Sequence, residues 1–93
     1  MAPELEVRVR NALAESGAFR EEISTLNTSD SFTEMGVLDS IGVLMLITQL
    51  EEVFEIQVTD EEVLPENFDS ISLLTEYIRS KINMQKIGDS VAN

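Results

Sequence analysis

Leu5, Val9, Ala12 and Leu13 recur at the spacing of one helical face, and they predict a helix from Pro3 to about Ser16. Pro3 suits a first helical position, Glu4 and Glu6 sit favourably in the first turn, and Gly17 suits the stop. Residues 17 to 38 keep no sustained period and predict a long connection, pinned by Phe19, Ile23, Leu26 and Phe32 dipping into the core. Within it, Ser31-Phe32-Thr33-Glu34 has the form of a capping box opening a single turn that Gly36 ends. A connection this long in a small domain is usually functional or anchored. A second helix is predicted from Ser40 to Phe54, with Asp39 as its N-cap. Thr59-Asp60-Glu61-Glu62 is a second capping box, opening a short helix that Pro65 should terminate. Asn67-Phe68-Asp69-Ser70 reads as a turn and cap. Ile71, Leu74, Tyr77 or Ile78, and Ile82 then mark a final helix, with Arg79 and Lys81 near its C-terminal end where the dipole favours cations. The tail 83–93 has little periodicity and is expected to be disordered, which leaves 3–82 as the domain. With no internal repeat and no alternation long enough for a sheet, the expected fold is all-α. It is a small four-helix bundle of three main helices and one short one, with a long connection between the first two.

The second helix carries two apolar faces. Val43, Leu46, Ile47, Leu50 and Phe54 project to one side, which accounts for contact with the core. Ile41, Leu44 and Met45 project to the other, beside Thr48, Glu51 and Glu52. A helix in so small a domain cannot easily bury its whole circumference. The expectation is an exposed apolar patch with an acidic rim, suited to transient docking on basic, apolar grooves of other proteins. The bland alternative is that the 17–38 connection folds over the patch and buries it.

Composition narrows the function. The chain has 93 residues, enough for one modest core, with no Cys and no His. A disulfide scaffold and a thiolate metal site are therefore excluded. The start shows no signal-peptide pattern and no apolar run reaches membrane-spanning length, so the expected location is the cytoplasm. Six basic residues against 18 acidic ones give a net charge of −12. Between Glu21 and Ile78 there are 14 acids and not one Lys or Arg. Such a surface repels phosphate backbones and anionic lipid, which argues against nucleic-acid and membrane roles and for basic partners. The Asp60, Glu61, Glu62 cluster lacks the alternating ligands and glycine of a calcium loop, so capping and solvation account for it and no metal site is expected.

Ser40 stands out against this background, in the run Gly36-Val37-Leu38-Asp39-Ser40-Ile41 where the apolar second helix begins. Nothing in the chain can activate its hydroxyl, since no His or Cys and no suitably placed Lys accompanies it; an autonomous hydrolase is a poor reading. If Ser40 is chemically special, something outside the chain acts on it. A phosphodiester attached there would meet free backbone N–H groups and the positive end of the helix dipole. Asp39 would repel that anion unless a divalent ion bridges them.

These residues resemble the acyl carrier and peptidyl or aminoacyl carrier protein superfamily. The resemblance rests on Gly36 to Ile41, on the following helix ending Leu50-Glu51-Glu52-Val53-Phe54, and on Asp60-Glu61-Glu62 with a short helix beyond. It covers about residues 4 to 82 in order. It implies that Ser40 carries 4′-phosphopantetheine, transferred from coenzyme A by a magnesium-dependent phosphopantetheinyl transferase, and that Asp39 helps the transferase assemble its site. It also implies that Ile41, Leu44, Glu51 and Glu52 belong to a recognition helix, while Met45 stands where carriers of fatty acid synthesis commonly have an acid. Gly42 departs from the same carriers, since a glycine inside a helix costs about 1 kcal/mol relative to Ala. A glycine two residues after the serine resembles D-alanyl carrier proteins. Leu64-Pro65-Glu66-Asn67-Phe68 is similar to the longer turn of stand-alone aminoacyl or peptidyl carriers. The implied function is a monomeric, non-enzymatic carrier holding an acyl or aminoacyl group as a thioester for a dedicated biosynthetic pathway. Its implied partners are the transferase, a loading ligase and downstream synthase or transferase enzymes. Two alternatives stay open: a D-alanyl carrier of cell-wall modification, and an unmodified acidic adaptor that binds a basic partner through the second helix.

Overall fold

A computed structural model describes the backbone of residues 3–92 and the side chains of residues 4–84. Helix α1 (Pro3–Ser16) is followed by a 3₁₀ turn (Ile23–Thr25), a single turn α2 (Phe32–Met35) and α3 (Ser40–Phe54). A second 3₁₀ turn (Asp60–Glu62), the short α4 (Pro65–Phe68) and α5 (Ile71–Ala92) complete the order. No strand occurs among the described residues, and the expected small helical bundle is the fold.

The stripes read from the sequence meet in one core. Helix α1 packs against both α3 and α5, and α4 packs against α5. Val9 and Leu13 from α1, Leu46 and Leu50 from α3, and Leu74 and Ile78 from α5 are all essentially inaccessible to solvent. Burying each such side chain contributes about 1.5–3 kcal/mol.

The connection between α1 and α3 is anchored along its length. Arg10 Nη1 donates to the carbonyls of Ile23 and Leu26, at 3.1 Å each, and both residues turn their side chains into the core. Phe19 meets the buried Phe32 edge-on, with ring centroids 4.9 Å apart. Of the capping box expected at Ser31, the first half forms, with Ser31 Oγ accepting from the Glu34 N–H at 3.2 Å. Glu34 itself stays exposed, and the second link comes from far along the chain. The Asp69 carboxylate accepts from the Ser31 hydroxyl and from the N–H and hydroxyl of Thr33, while the Asp69 carbonyl accepts from the Phe32 N–H. Burial pushes this carboxyl up, but the donors from Ser31 and Thr33 outweigh it and hold it below its ordinary value. A single turn, too short to persist alone, is thus stapled to the corner between α4 and α5.

Two local expectations change. Pro65 does not merely end the turn before it: it is the first residue of α4, where its missing N–H costs nothing. Arg79 and Lys81 lie in the interior of α5 rather than at its end, because the helix continues past Ile82 to Ala92 with no proline to stop it. Their partners are acids, Glu76 at 2.7 Å and Glu62 at 2.9 Å, and not the helix dipole. The tail expected at 83–93 lies, for the side chains from Gln85 onward, outside the described residues.

Glu62 ties the acidic turn to α5. Its Oε1 accepts from the Thr59 N–H, the Tyr77 hydroxyl and Lys81 Nζ, and its Oε2 accepts from Lys81 as well. Chiefly through Lys81, its carboxyl is held at about 2 instead of 4.5, while burial and the Glu62 charge hold the Tyr77 hydroxyl above its usual range. A depressed folded-state pKa gives stability that is fully present above the unfolded value and lost as pH falls through the folded one. The stability difference between wild type and Glu62→Gln in urea melts should therefore be constant above about pH 5 and shrink between about 4.5 and 2. A difference that does not change over that window would mean the Lys81 contact contributes nothing.

Candidate functional site

The start of α3 is built against the start of the long connection. Helix α1 stops before Gly17, and α2 stops at Gly36, each with a positive φ (70° and 64°) that a side chain would oppose. The chain then runs through the buried Val37 into Asp39. Backbone pairing fixes this approach, with the Arg20 N–H donating to the Val37 carbonyl at 3.0 Å. Gly42, in the first turn of α3, is buried against the same segment. A Cβ placed there would lie 2.8 Å from the Ala18 carbonyl oxygen, 2.9 Å from Leu38 Cδ1 and 3.2 Å from Asp39 Oδ1. The glycine that departs from fatty acid carriers thus has a packing reason, because it lets the helix start rest on backbone.

Asp39 caps the helix as expected. Its Oδ1 accepts from the Gly42 N–H at 2.7 Å, and its carbonyl from the Val43 N–H at 2.9 Å. Its Oδ2 accepts from Arg20 Nη2 at 2.9 Å. The Gly42 amide first, and Arg20 second, hold the Asp39 carboxyl below its ordinary value. With both oxygens occupied and little affinity for a proton, Asp39 is a poor general base for its neighbour. Ser40 follows it at the first helical position. Its side chain is exposed and makes no hydrogen bond among the described residues, unlike Ser31 and Ser70, whose hydroxyls accept from amides of their own helix starts. The Ser40 and Ile41 amides lie where a helix has no internal acceptor for them. The hydroxyl is therefore presented beside free donors, with nothing in the chain to activate it.

The outward face of α3 is open. Ile41, Leu44 and Met45 are 69%, 65% and 42% exposed, and the 17–38 connection does not cover them. Glu52 is exposed beside them, whereas Glu51 is half-buried and its Oε2 accepts from the Val58 N–H at 2.9 Å, which gives it a structural task. Arg20 is the site residue that sequence reasoning missed. Its signal was faint: it is the last cation before the acid-only stretch.

The chain matches the family described as "Phosphopantetheine attachment site" over residues 8–78. It belongs to that family. It is 35% identical over 65 residues to a D-alanyl carrier protein of Streptococcus uberis, a match covering 70% of this chain and 81% of that one. Its fold matches a chain in the crystal structure of an engineered Bradyrhizobium japonicum glycine:[carrier protein] ligase complexed with carrier protein from Agrobacterium tumefaciens and ATP. That match has a TM-score of 0.72 and 21% identity, over 82% of this chain and 97% of the other. The corresponding AMP complex gives a TM-score of 0.69 at 23% identity, over 80% and 97% of the two chains.

As a member of this family the protein is a carrier and not an enzyme, and it bears 4′-phosphopantetheine covalently. The unmodified adaptor gives way to this finding. The residues at the start of α3 fit such a group: an exposed, unbonded hydroxyl, two free amides at the positive end of a long helix, and an arginine one contact away. The arm, when attached, supplies the thiol that a Cys-free chain lacks and holds the cargo as a thioester.

The close approach at Gly42 carries its own test. On helix propensity alone Gly42→Ala should stabilise α3 by about 1 kcal/mol. Because the new methyl would meet the Ala18 carbonyl, urea melts should instead show destabilisation of about 1–3 kcal/mol. A variant more stable than wild type would mean that the connection does not rest on α3 there.

Proposed function

We propose that Ser40 is the residue that carries the phosphopantetheine arm, and that the chain presents a small aminoacyl group on it to enzymes of a dedicated pathway. The observation that carries this reading is the idle, exposed Ser40 hydroxyl at the first position of α3, beside an N-cap whose carboxylate is already committed. The proton leaving Ser40 during attachment then goes to a base on the transferase. An aminoacyl cargo is supported by the likeness to a D-alanyl carrier protein and by the packed core. The groove beside the helix start, between Leu38, Val43, Leu64 and Phe68, is open and about 190 Å³, room for a short group rather than a long acyl chain.

Partners dock, in this reading, on Ile41, Leu44 and Met45, with Glu52 and the free part of Glu51 meeting basic side chains. They comprise the transferase, an ATP-dependent loading ligase and a downstream acceptor enzyme. The reading of D-alanyl transfer to the cell wall is one instance of this scheme, favoured by the same relative. No helix among the described residues is long and apolar enough to cross a membrane, and a transferase drawing on coenzyme A with an ATP-dependent ligase would suit work in the cytoplasm.

Incubation with coenzyme A and a broad-range phosphopantetheinyl transferase, followed by intact mass spectrometry, tests the attachment. Wild type should gain one phosphopantetheine and Ser40→Ala none. Leu44→Ala and Met45→Ala should melt nearly as wild type yet be converted several-fold more slowly. Equal modification of Ser40→Ala, or an unmodified wild type, would sink the assignment.

A further inference from the structure

Every Lys and Arg among the described side chains has a distinct engagement. Arg8 lies over the Phe54 ring, Arg10 holds the connection, Arg79 pairs with Glu76 and Lys81 with Glu62. Arg20 alone among them is tied next to Ser40. Its side chain is 66% exposed, so the contact with Asp39, itself 51% exposed, contributes little to folding. The Asp39 cap would survive its loss, since Oδ1 and the Gly42 amide form a separate bond. The arginine is nonetheless aimed from two directions, by its own backbone bond to Val37 and by Asp39 Oδ2.

We propose that Arg20 is the phosphate-facing cation of this carrier: held by Asp39, its guanidinium offsets the charge of the phosphodiester borne on Ser40. The inference rests on Ser40 being the attachment residue. A guanidinium presents five N–H donors in a fixed fork, and Asp39 takes one of them. The others stay available to phosphate oxygens, a pairing that geometry favours. Without Arg20, a carboxylate and a phosphodiester would stand on adjacent residues in a protein of net charge −12. The repulsion expected from Asp39 is thus met by a resident arginine, with no need for a metal ion in the finished carrier. Arg20 acts as a positioning residue, fixing where the arm leaves the surface.

The test compares apo and holo forms of wild type, Arg20→Gln and Arg20→Lys at low ionic strength, each form verified by intact mass. Attachment should barely change the melting temperature of wild type, whereas in Arg20→Gln the holo form should melt below its own apo form by on the order of 2–4 °C. High salt should close that gap, and Arg20→Lys, which keeps the charge, should show little of it. A merely structural role would lower both forms equally and leave the difference unchanged. In wild type, the ³¹P resonance and the Arg20 Nε–H resonance should each report the contact, the second moving when the arm is attached. The proposal is overturned by an equal holo-minus-apo difference in wild type and Arg20→Gln, or by an Arg20 Nε–H resonance that ignores attachment. A wild type that gains no mass, or gains it away from Ser40, would overturn the attachment assignment first and this inference with it.

Discussion

The carbonyl oxygen of Ala18 lies where a side chain at position 42 would begin, 2.8 Å from the place of its first carbon. That contact decides how near the start of α3 comes to the connection that leaves α1. Because the helix start rests on backbone there, Arg20 reaches both Val37 and Asp39, and the approach through 37–39 holds one course. Asp39 can then cap α3 and leave Ser40 facing outward with no task in the fold. A bulkier residue would lift the helix from the connection and separate the parts of the site. The fold thus keeps one hydroxyl accessible on a rigid element, as the proposed attachment at Ser40 requires.

Charge is distributed to the same end. The described cations are used close to the body of the molecule, over a ring, on loop carbonyls or against single acids, and most of the acids remain for the surface. The outward face of α3 therefore combines three exposed apolar side chains with an acidic setting. Such a face associates quickly and lets go easily, since long-range attraction speeds encounter while a small apolar contact limits residence. The proposed succession of visits to a transferase, a ligase and an acceptor enzyme would need that combination more than tight binding.

Much of this was legible in the sequence because it is local. The stripe on α1, the bounds of α3 and the Asp39 cap follow from spacing and from capping chemistry within a few residues. The two faces of α3 were legible for the same reason, and the open patch appeared where helical geometry put it. What escaped depends on partners distant along the chain. Arg20 meets Asp39 only after the connection folds back, Lys81 finds Glu62 only once α5 crosses the acidic turn, and Asp69 replaces the reciprocal arm of the Ser31 box from the far corner. Gly42 looked like a cost because its benefit lies in the space beside it, occupied by a carbonyl from another element. Pro65 was ambiguous by nature, as the same ring that stops one turn starts another.

The central claim is that the 17–38 connection is a fixed wall for the helix start and not a loose loop. Native-state hydrogen exchange at the amides of Arg20 and Phe32 measures this directly, because their acceptors are the Val37 carbonyl and the Asp69 carbonyl, across the site and across the domain. Both amides should exchange only through large-scale opening, with protection approaching that of the Leu50 amide in the middle of α3. Exchange at Arg20 and Phe32 as fast as in an unstructured peptide, while Leu50 stays protected, would contradict the account.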